Sequence, residues 1–242
     1  MRYIHSSDIT NVNEWLESPD WDIVELGLTI NKRHLDDYYR YLTETIPHLK
    51  FNFLSSDYLR PEIAEEFKKE GRMGNYIGDV QAWTMSWPVE RDIPCPSKTQ
   101  ANIDMYPELV PYINDDDGFM EACKIQNIYK YGLINLLLET ITDRALRQSF
   151  FTMHPAKVQV VNHVDGPRKK IHLPIITNKD AYFAFGENDE RKYNLECGKI
   201  YIINPTIPHS TNNQGDTDRI HLLSRVDLDF YPTLFSLTGT ID

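Results

Sequence analysis

Two histidines and one aspartate in the last third of the chain have the types and spacing of a metal-binding site. His163 and Asp165 are two positions apart in the sequence Val-Gln-Val-Val-Asn-His-Val-Asp-Gly. On an extended chain their side chains project from the same face, so both can reach one ion. His209 follows 44 positions after Asp165. Two histidines and one carboxylate that leave other coordination positions open form the ligand set of non-haem iron(II) oxygenases.

A His-x-Asp pair alone is a weak signal, because an aspartate in a turn beside a strand histidine gives the same pattern by chance. Arg219 strengthens the metal hypothesis. It lies ten positions after His209, at the start of the run Arg-Ile-His-Leu-Leu, where adjacent antiparallel strands would carry it into the same barrel interior. A guanidinium there can bind the far carboxylate of 2-oxoglutarate through two hydrogen bonds. The alternative for Arg219 is a surface ion pair at a strand end.

Short β-type runs surround these residues and predict the elements that position them. Turn signals separate the runs, including one from Asn212 to Gly215. Many short strands without intervening helices are typical of a jelly roll or barrel. The predicted strands cover residues 157–165, 171–177, 181–186, 198–204 and 219–226.

The first 150 residues show helical patterns instead. Helices are predicted over residues 33–46, 61–69 and, as the longest, 119–147. We therefore expect an α+β fold that forms a single domain over the whole chain. In it, residues 1–150 are mainly helical support and loops, and residues 151–242 form a metal-binding double-stranded β-helix, a jelly-roll or cupin-like core.

Residues 74–111 are rich in Gly, Pro and Trp, and include Trp83 and Trp87. Loops of this length in a compact domain are often lids or binding loops. The alternative is irregular packing over the core.

Composition limits the class of partner. The formal net charge is -11 and the pI is near 5.2, so the surface repels phosphate backbones and a nucleic acid is not expected as a partner. Three cysteines without a CxxC pair argue against a disulfide framework and a zinc ribbon. No apolar leader or membrane-length run is evident, so we expect a cytoplasmic, soluble protein. The expected partner is a small-molecule substrate, and the oligomeric state is left open.

Residues 157–226 resemble the aspartyl/asparaginyl β-hydroxylase-like family of 2-oxoglutarate oxygenases, whose members include L-proline cis-4-hydroxylases. The segments that carry the resemblance are His163-Val-Asp-Gly-Pro, Lys170-Ile-His-Leu-Pro-Ile, Gly198-Lys-Ile-Tyr-Ile-Ile-Asn, His209-Ser and Arg219-Ile-His-Leu.

This resemblance implies a cofactor set of iron(II), 2-oxoglutarate as cosubstrate, and dioxygen. Arg219 and His172 match family positions that contact 2-oxoglutarate, and Lys170 lies where a basic residue, often Arg, helps to hold it. His221 faces the same way as Arg219 and is a further candidate for the pocket. The metal ligands of the family are matched by His163, Asp165 and His209.

The resemblance also implies a dioxygenase that hydroxylates an sp³ carbon. The metazoan peptide hydroxylases of the family lack the carboxylate that Asp165 provides here, whereas its hydroxylases of free amino acids have it. We therefore expect a small amino-acid-type substrate. Two alternatives stay open: a peptidyl aspartyl/asparaginyl β-hydroxylase, and a non-catalytic cupin-like protein that binds a metal or ligand and has no need of Arg219.

Overall fold

The computed structural model describes residues 2–45, 76–77, 81–90 and 106–242. Within these ranges most of the regular structure is β. The strands are β1 (Tyr3–His5), β2 (Ile23–Ile30), β3 (Tyr76–Ile77), β4 (Gln81–Thr84), β5 (Ser86–Trp87), β6 (Lys124–Ile125), β7 (Arg147–His154), β8 (Val158–His163), β9 (Lys170–Ile176), β10 (Ala181–Phe185), β11 (Arg191–Tyr193), β12 (Lys199–Ile203), β13 (His209–Asn213), β14 (Arg219–Arg225) and β15 (Thr238–Ile241).

The helices pack on the outside of this β structure. They are α1 (Val12–Glu17), α2 (Lys32–Thr45), α3 (Asp116–Ala122), α4 (Leu133–Ile141) and α5 (Tyr231–Ser236). Helix α2 buries Leu35 and Tyr38, and the hydroxyl of Tyr38 donates to the carbonyl of Tyr129 at 3.0 Å. Among the described residues, no helix is both long enough and apolar enough to span a bilayer.

Two sheets build the core. The larger runs in the order β1-β2-β12-β9-β14-β7-β4, with β15 also pairing β2, and the smaller runs β11-β10-β13-β8-β3. Side chains from both sheets line one cavity between them, as expected of a jelly roll. The α+β, cupin-like fold class is therefore confirmed.

Strand β14 lies at the centre of the larger sheet, between β9 and β7. Six of its seven residues are buried, because one face packs on the hydrophobic core and the other faces the cavity. Arg219 and His221 are on the cavity face, while Ile220 and Leu222 join the core. The period of two along this strand thus separates chemistry from packing.

The five strands predicted in the C-terminal part are confirmed within a few residues, as is the helix over residues 33–46. The turn predicted from Asn212 to Gly215 begins only after Asn213, because Asn212 and Asn213 are buried residues of β13. The amide of Asn213 donates to the carbonyls of His154, Pro155 and Thr217. A polar side chain that satisfies several buried carbonyls reads from sequence as a turn residue.

The long helix predicted over residues 119–147 is also wrong. Helix α3 ends at Ala122, strand β6 pairs with β5, and α4 begins only after Gly132, whose φ is +44°. Tertiary pairing with β5 outweighs the local helical pattern here. The N-terminal region differs from the predicted helical support as well, since β1 and β2 extend the larger sheet. The helix predicted over residues 61–69 lies outside the described residues.

Trp87 does not line the cavity. It is fully buried in a cluster of its own, with Leu109, Phe119 and Cys123, and its indole nitrogen donates to Glu108 at 3.2 Å. For this tryptophan the alternative of packing holds, and the lid interpretation is wrong. The side chain of Trp83 lies outside what the structure describes.

Candidate metal centre

The three predicted metal ligands meet at one end of the cavity. His163 is the last residue of β8 and His209 the first residue of β13, and the two are Cα partners across these antiparallel strands. Asp165 follows two positions later and is held by its backbone N–H, which donates to the carbonyl of Pro205 at 2.9 Å. One ligand atom from each residue lies within 4.8 Å of the others. A single ion can therefore contact all three.

Backbone carbonyls orient both imidazoles. The Nδ1 atom of His163 lies 2.8 Å from the carbonyl oxygen of Val161, and that of His209 lies 2.9 Å from the carbonyl oxygen of Ile207. A carbonyl can only accept, so each Nδ1 carries the proton and each Nε2 keeps a free lone pair. Burial first, then the neighbouring His163, lowers the pKa of His209 to about 4. His209 is consequently neutral, the form that binds a metal.

Lys170 contacts the third ligand. Its ammonium lies 2.7 Å from Oδ2 of Asp165, while Oδ1 points toward His163 at 3.8 Å from Nε2. Burial raises the pKa of the Asp165 carboxyl, but the charge and hydrogen bond of Lys170, with the two histidines, outweigh it and the pKa is lowered. Asp165 is thus ionised with one oxygen free for a metal. The predicted contact of Lys170 with a cosubstrate stays a prediction, because here its ammonium is used by Asp165.

A buried cation occupies the other end of the cavity. Arg219 is 2% exposed, its Nη2 lies 2.9 Å from Nδ1 of His221, and its guanidinium lies 5.0 Å from the ring centroid of Phe183. No carboxylate of the described residues pairs with it, and burial lowers the pKa of Arg219 to about 9. An unpaired buried charge is costly, so this site favours an anion.

Three buried histidines surround Arg219. Within the described ranges, His172, His154 and His221 each keep one ring nitrogen without a hydrogen-bond partner. Burial first, then the charge of Arg219, holds the pKa of each well below 6.5. These neutral rings offer hydrogen bonds to a polar ligand without repelling a cation.

All six predicted site residues line one cavity of about 290 Å³. His221 is also at the site through its contact with Arg219. Several other lining residues were not predicted from the sequence. The missed signal is the alternation along β7, where every second residue faces the cavity. These residues are Gln148, Phe150, Thr152 and His154, together with Arg225 on β14.

The residues present fit the implied groups. Two imidazole nitrogens and one carboxylate oxygen are the donors that iron(II) takes in a facial triad. A buried guanidinium without a carboxylate, beside unpartnered histidine nitrogens, suits one carboxylate of a small dicarboxylic acid. These assignments of role remain predictions, whereas the proximity of the residues is a property of the fold.

Solved structures share part of this fold. They include the lyase DddQ from Ruegeria pomeroyi, which acts on DMSP (22% identity, 34% of this chain and 39% of that chain, TM-score 0.27). A predicted oxalate decarboxylase from Thermotoga maritima is 18% identical, with 38% of this chain and 74% of that chain covered and a TM-score of 0.28. A cupin-like protein from that organism is 11% identical, with 65% of this chain and 75% of that chain covered and a TM-score of 0.32. The chain thus spans well under two thirds of the lyase, and likeness at these scores carries no argument about function.

No curated protein matches the sequence. The sequence model of a family does match, and it spans the part of the chain that holds both ends of the cavity, from Cys123 to Leu228. This agrees with the resemblance carried by the His-x-Asp, His209 and Arg219 motifs. Over residues 123–228, then, the chain is similar to the aspartyl/asparaginyl beta-hydroxylase family.

Proposed function

We propose that this protein is an iron(II)- and 2-oxoglutarate-dependent dioxygenase that hydroxylates an sp³ carbon of a small, amino-acid-type molecule. One observation carries the proposal: Arg219 is a buried guanidinium that pairs with no carboxylate of the described residues, in the same cavity as the triad. A cupin-like protein that only binds a metal has no need of that cation. The family match over residues 123–228 supports the same class.

The triad residues would hold the metal from one side. His163 and His209 present Nε2 atoms, and Asp165 presents Oδ1 because Lys170 occupies Oδ2. All three ligands come from the ends of β8 and β13 and the segment that follows β8, and Arg219 on β14 lines the same cavity. Bound iron(II) would supply the activation of dioxygen that amino-acid side chains cannot provide.

Arg219 would bind the far carboxylate of 2-oxoglutarate. Its planar guanidinium matches a carboxylate through two hydrogen bonds, and His221 already fixes one edge of it. His172 lies on the neighbouring strand β9, and its unpartnered ring nitrogen is available to the same ligand. Burial of these groups excludes water, which strengthens each polar contact.

The overall reaction balances without another reductant. One oxygen atom of dioxygen enters the substrate C–H bond to give a hydroxyl group, and the other enters succinate as 2-oxoglutarate loses carbon dioxide. The cosubstrate supplies the two electrons that the hydroxylation does not. A small organic substrate, and not a nucleic acid, is supported by the cavity of about 290 Å³ and the net charge of -11.

The test uses purified protein under anaerobic conditions, with iron(II) and 2-oxoglutarate binding measured before dioxygen is added. Succinate release is then measured with single amino acids and with peptides. Binding of both ligands, with release stimulated by a free amino acid, supports the proposal. Metal binding without 2-oxoglutarate binding points to the cupin-like alternative, and stimulation by peptides alone points to the peptidyl hydroxylase.

A further inference from the structure

Arg225 is a second arginine in the metal cavity, and the function proposed above does not use it. It is the last residue of β14, half-buried, and it lines the cavity together with Asp165 and Lys170. It also borders two neighbouring cavities, and so stands where the site opens outward. This position is at the end of β14 opposite to Arg219.

Three cations near Arg225 already have carboxylate partners. Lys170 pairs with Asp165, Arg168 with Asp117, and Arg147 with Asp143 and Asp227. Arg225 has no ion pair with any carboxylate of the described residues. Among the described residues that line the metal cavity, Arg225 is therefore, besides Arg219, an arginine free to bind an anion.

The surroundings of Arg225 explain why an anion would be favourable there. Burial lowers the pKa of Arg225, and the positive charge of Arg168 lowers it further. Asp116 and Asp165 act in the opposite direction from beyond ion-pair distance. We assign Asp165 to the metal, however, and the positive charge of a bound metal would offset the negative charge of this carboxylate. An incoming carboxylate would compensate the guanidinium directly.

Gln148 lies beside Arg225 and has an unusual backbone. Arg225 is the Cα partner of Arg147, the residue before Gln148, and the register between β14 and β7 shifts at this point. Gln148 has a φ of +39°, a conformation that non-glycine residues rarely adopt. Bulges of this kind re-aim side chains next to active sites. Here the Gln148 side chain lines the cavity, and its buried Oε1 atom has no hydrogen-bond partner among the residues that the structure describes.

We propose that Arg225 and Gln148 form the site that selects the substrate by its charged end. The guanidinium of Arg225 binds a carboxylate, and the amide oxygen of Gln148 accepts a hydrogen bond from an ammonium group. The inference rests on the function proposed above and assigns residues to substrate selection. It requires a substrate that carries both groups as free ions, and so excludes an internal peptide residue.

The position of the pair separates substrate from cosubstrate. Arg219 and Arg225 are six residues apart on one strand, which places their Cα atoms about 20 Å apart. The two guanidinium groups therefore enter the cavity from opposite ends of β14, and we assign a different ligand to each. Arg225 is the Cα partner of Lys170, which holds Asp165. A substrate bound by Arg225 would therefore lie on the Asp165 side of the metal.

The test measures binding directly by calorimetry on anaerobic protein loaded with iron(II) and 2-oxoglutarate. The probes are the standard L-amino acids one at a time, and then the methyl ester and the N-acetyl derivative of the tightest binder. Arg225→Gln should raise the dissociation constant of the amino acid roughly ten- to a hundredfold, and the methyl ester should bind as weakly to the wild type. Arg225→Lys should fall between these limits, because it keeps the charge and loses the fork geometry.

Arg168→Gln is the matched control. It removes the same charge next to Arg225, from a residue that does not line the metal cavity. It should leave the dissociation constant unchanged. Gln148→Leu should weaken the free amino acid and not its N-acetyl derivative. In turnover, Arg225→Gln should raise the KM for the amino acid without changing the KM for 2-oxoglutarate.

Three results would overturn the assignment: equal losses in Arg225→Gln and Arg168→Gln, a methyl ester that binds as tightly as the free acid, or no amino acid that binds. In each case iron(II) and 2-oxoglutarate would still bind to the wild type. If instead those two ligands do not bind, the proposed function itself fails. Thermal unfolding of every variant checks that a loss does not come from misfolding.

Discussion

His163 and His209 are Cα partners on neighbouring antiparallel strands, and the centroids of their imidazole rings lie 4.4 Å apart. They are 46 positions apart in the chain, so it is the pairing of β8 with β13 that makes them one site. Both Nδ1 atoms are taken by carbonyls two residues earlier in the chain. The backbone therefore selects the same metal-binding tautomer in both residues.

Removal of either histidine is expected to abolish metal binding. His163→Ala and His209→Ala should each lose iron(II), because two remaining ligands do not complete a facial set. Metal content after purification and the calorimetric dissociation constant for iron(II) measure this. His5→Ala on β1 is the control, since that histidine does not line the cavity. Undiminished iron in both ligand variants would rule out this triad.

Lys170→Met should weaken metal binding without removing a ligand. Loss of a group that orients a ligand typically costs roughly ten- to a hundredfold in metal affinity. This loss of metal affinity should grow as the pH falls. Lys170 lowers the pKa of Asp165, so without it the carboxyl protonates at higher pH and competes with the metal. Iron(II) titrations at several pH values test this, with Lys170→Arg as the variant that keeps the charge. An affinity in Lys170→Met that equals wild type at every pH would contradict the role.

Arg219→Met should separate cosubstrate binding from metal binding. The dissociation constant of 2-oxoglutarate should rise roughly tenfold to over a hundredfold, the equivalent of ~1.5–3 kcal/mol, while iron(II) binds as before. Calorimetry on the iron-loaded protein measures both. Arg33→Met, an exposed change on α2, is the control. An unchanged dissociation constant for 2-oxoglutarate would remove the main support for the proposed function.

The same variant should be more stable than the wild type when no ligand is present. Arg219 is buried and pairs with no carboxylate in the described part of the chain, and replacing a buried charge by an apolar side chain of similar length relieves its desolvation by about 1–2 kcal/mol. Urea unfolding without metal or cosubstrate measures the free energy of unfolding. A decrease in Arg219→Met would show that the guanidinium stabilises the unliganded fold.

Acid should destabilise the protein through the histidines around Arg219. Burial, then the charge of Arg219, holds the pKa values of His154, His172 and His221 well below 6.5. The unfolded chain takes up protons near pH 6.5 that the folded protein refuses. The free energy of unfolding should therefore fall as the pH drops below about 6.5, by up to about 1.4 kcal/mol per pH unit for each histidine.

Above about pH 7 these groups are neutral in both states and should contribute no slope. Urea unfolding without metal, between about pH 5.5 and 7.5, tests this window. His154→Gln should reduce the slope of the free energy of unfolding against pH by the equivalent of up to one bound proton. His5→Gln serves as the control. A stability that stays constant over this range would mean that the three histidines accept protons in the folded state.

The sequence by itself predicted the candidate ligand set and determined much of the β core. The His-x-Asp spacing needs only an extended backbone to place two ligands on one side, and turn residues bound the strands from β8 to β12. Arg219 could be found because a permanent charge in an apolar run is locally anomalous. The order of these motifs also led to the family that matches residues 123–228.

Only the tertiary structure decided the surroundings of the site. Gln148 and His154 enter the cavity because β7 pairs with β14, an arrangement that no local pattern specifies. Lys170 binds Asp165 because the chain turns back between β8 and β9. Arg225 stands out because three neighbouring cations have carboxylate partners. Those ion pairs depend on loops and helices far away in the chain. Local spacing fixes which side chains share a face, but burial and charge pairing arise from long-range packing, and these decide which groups remain free to bind a ligand.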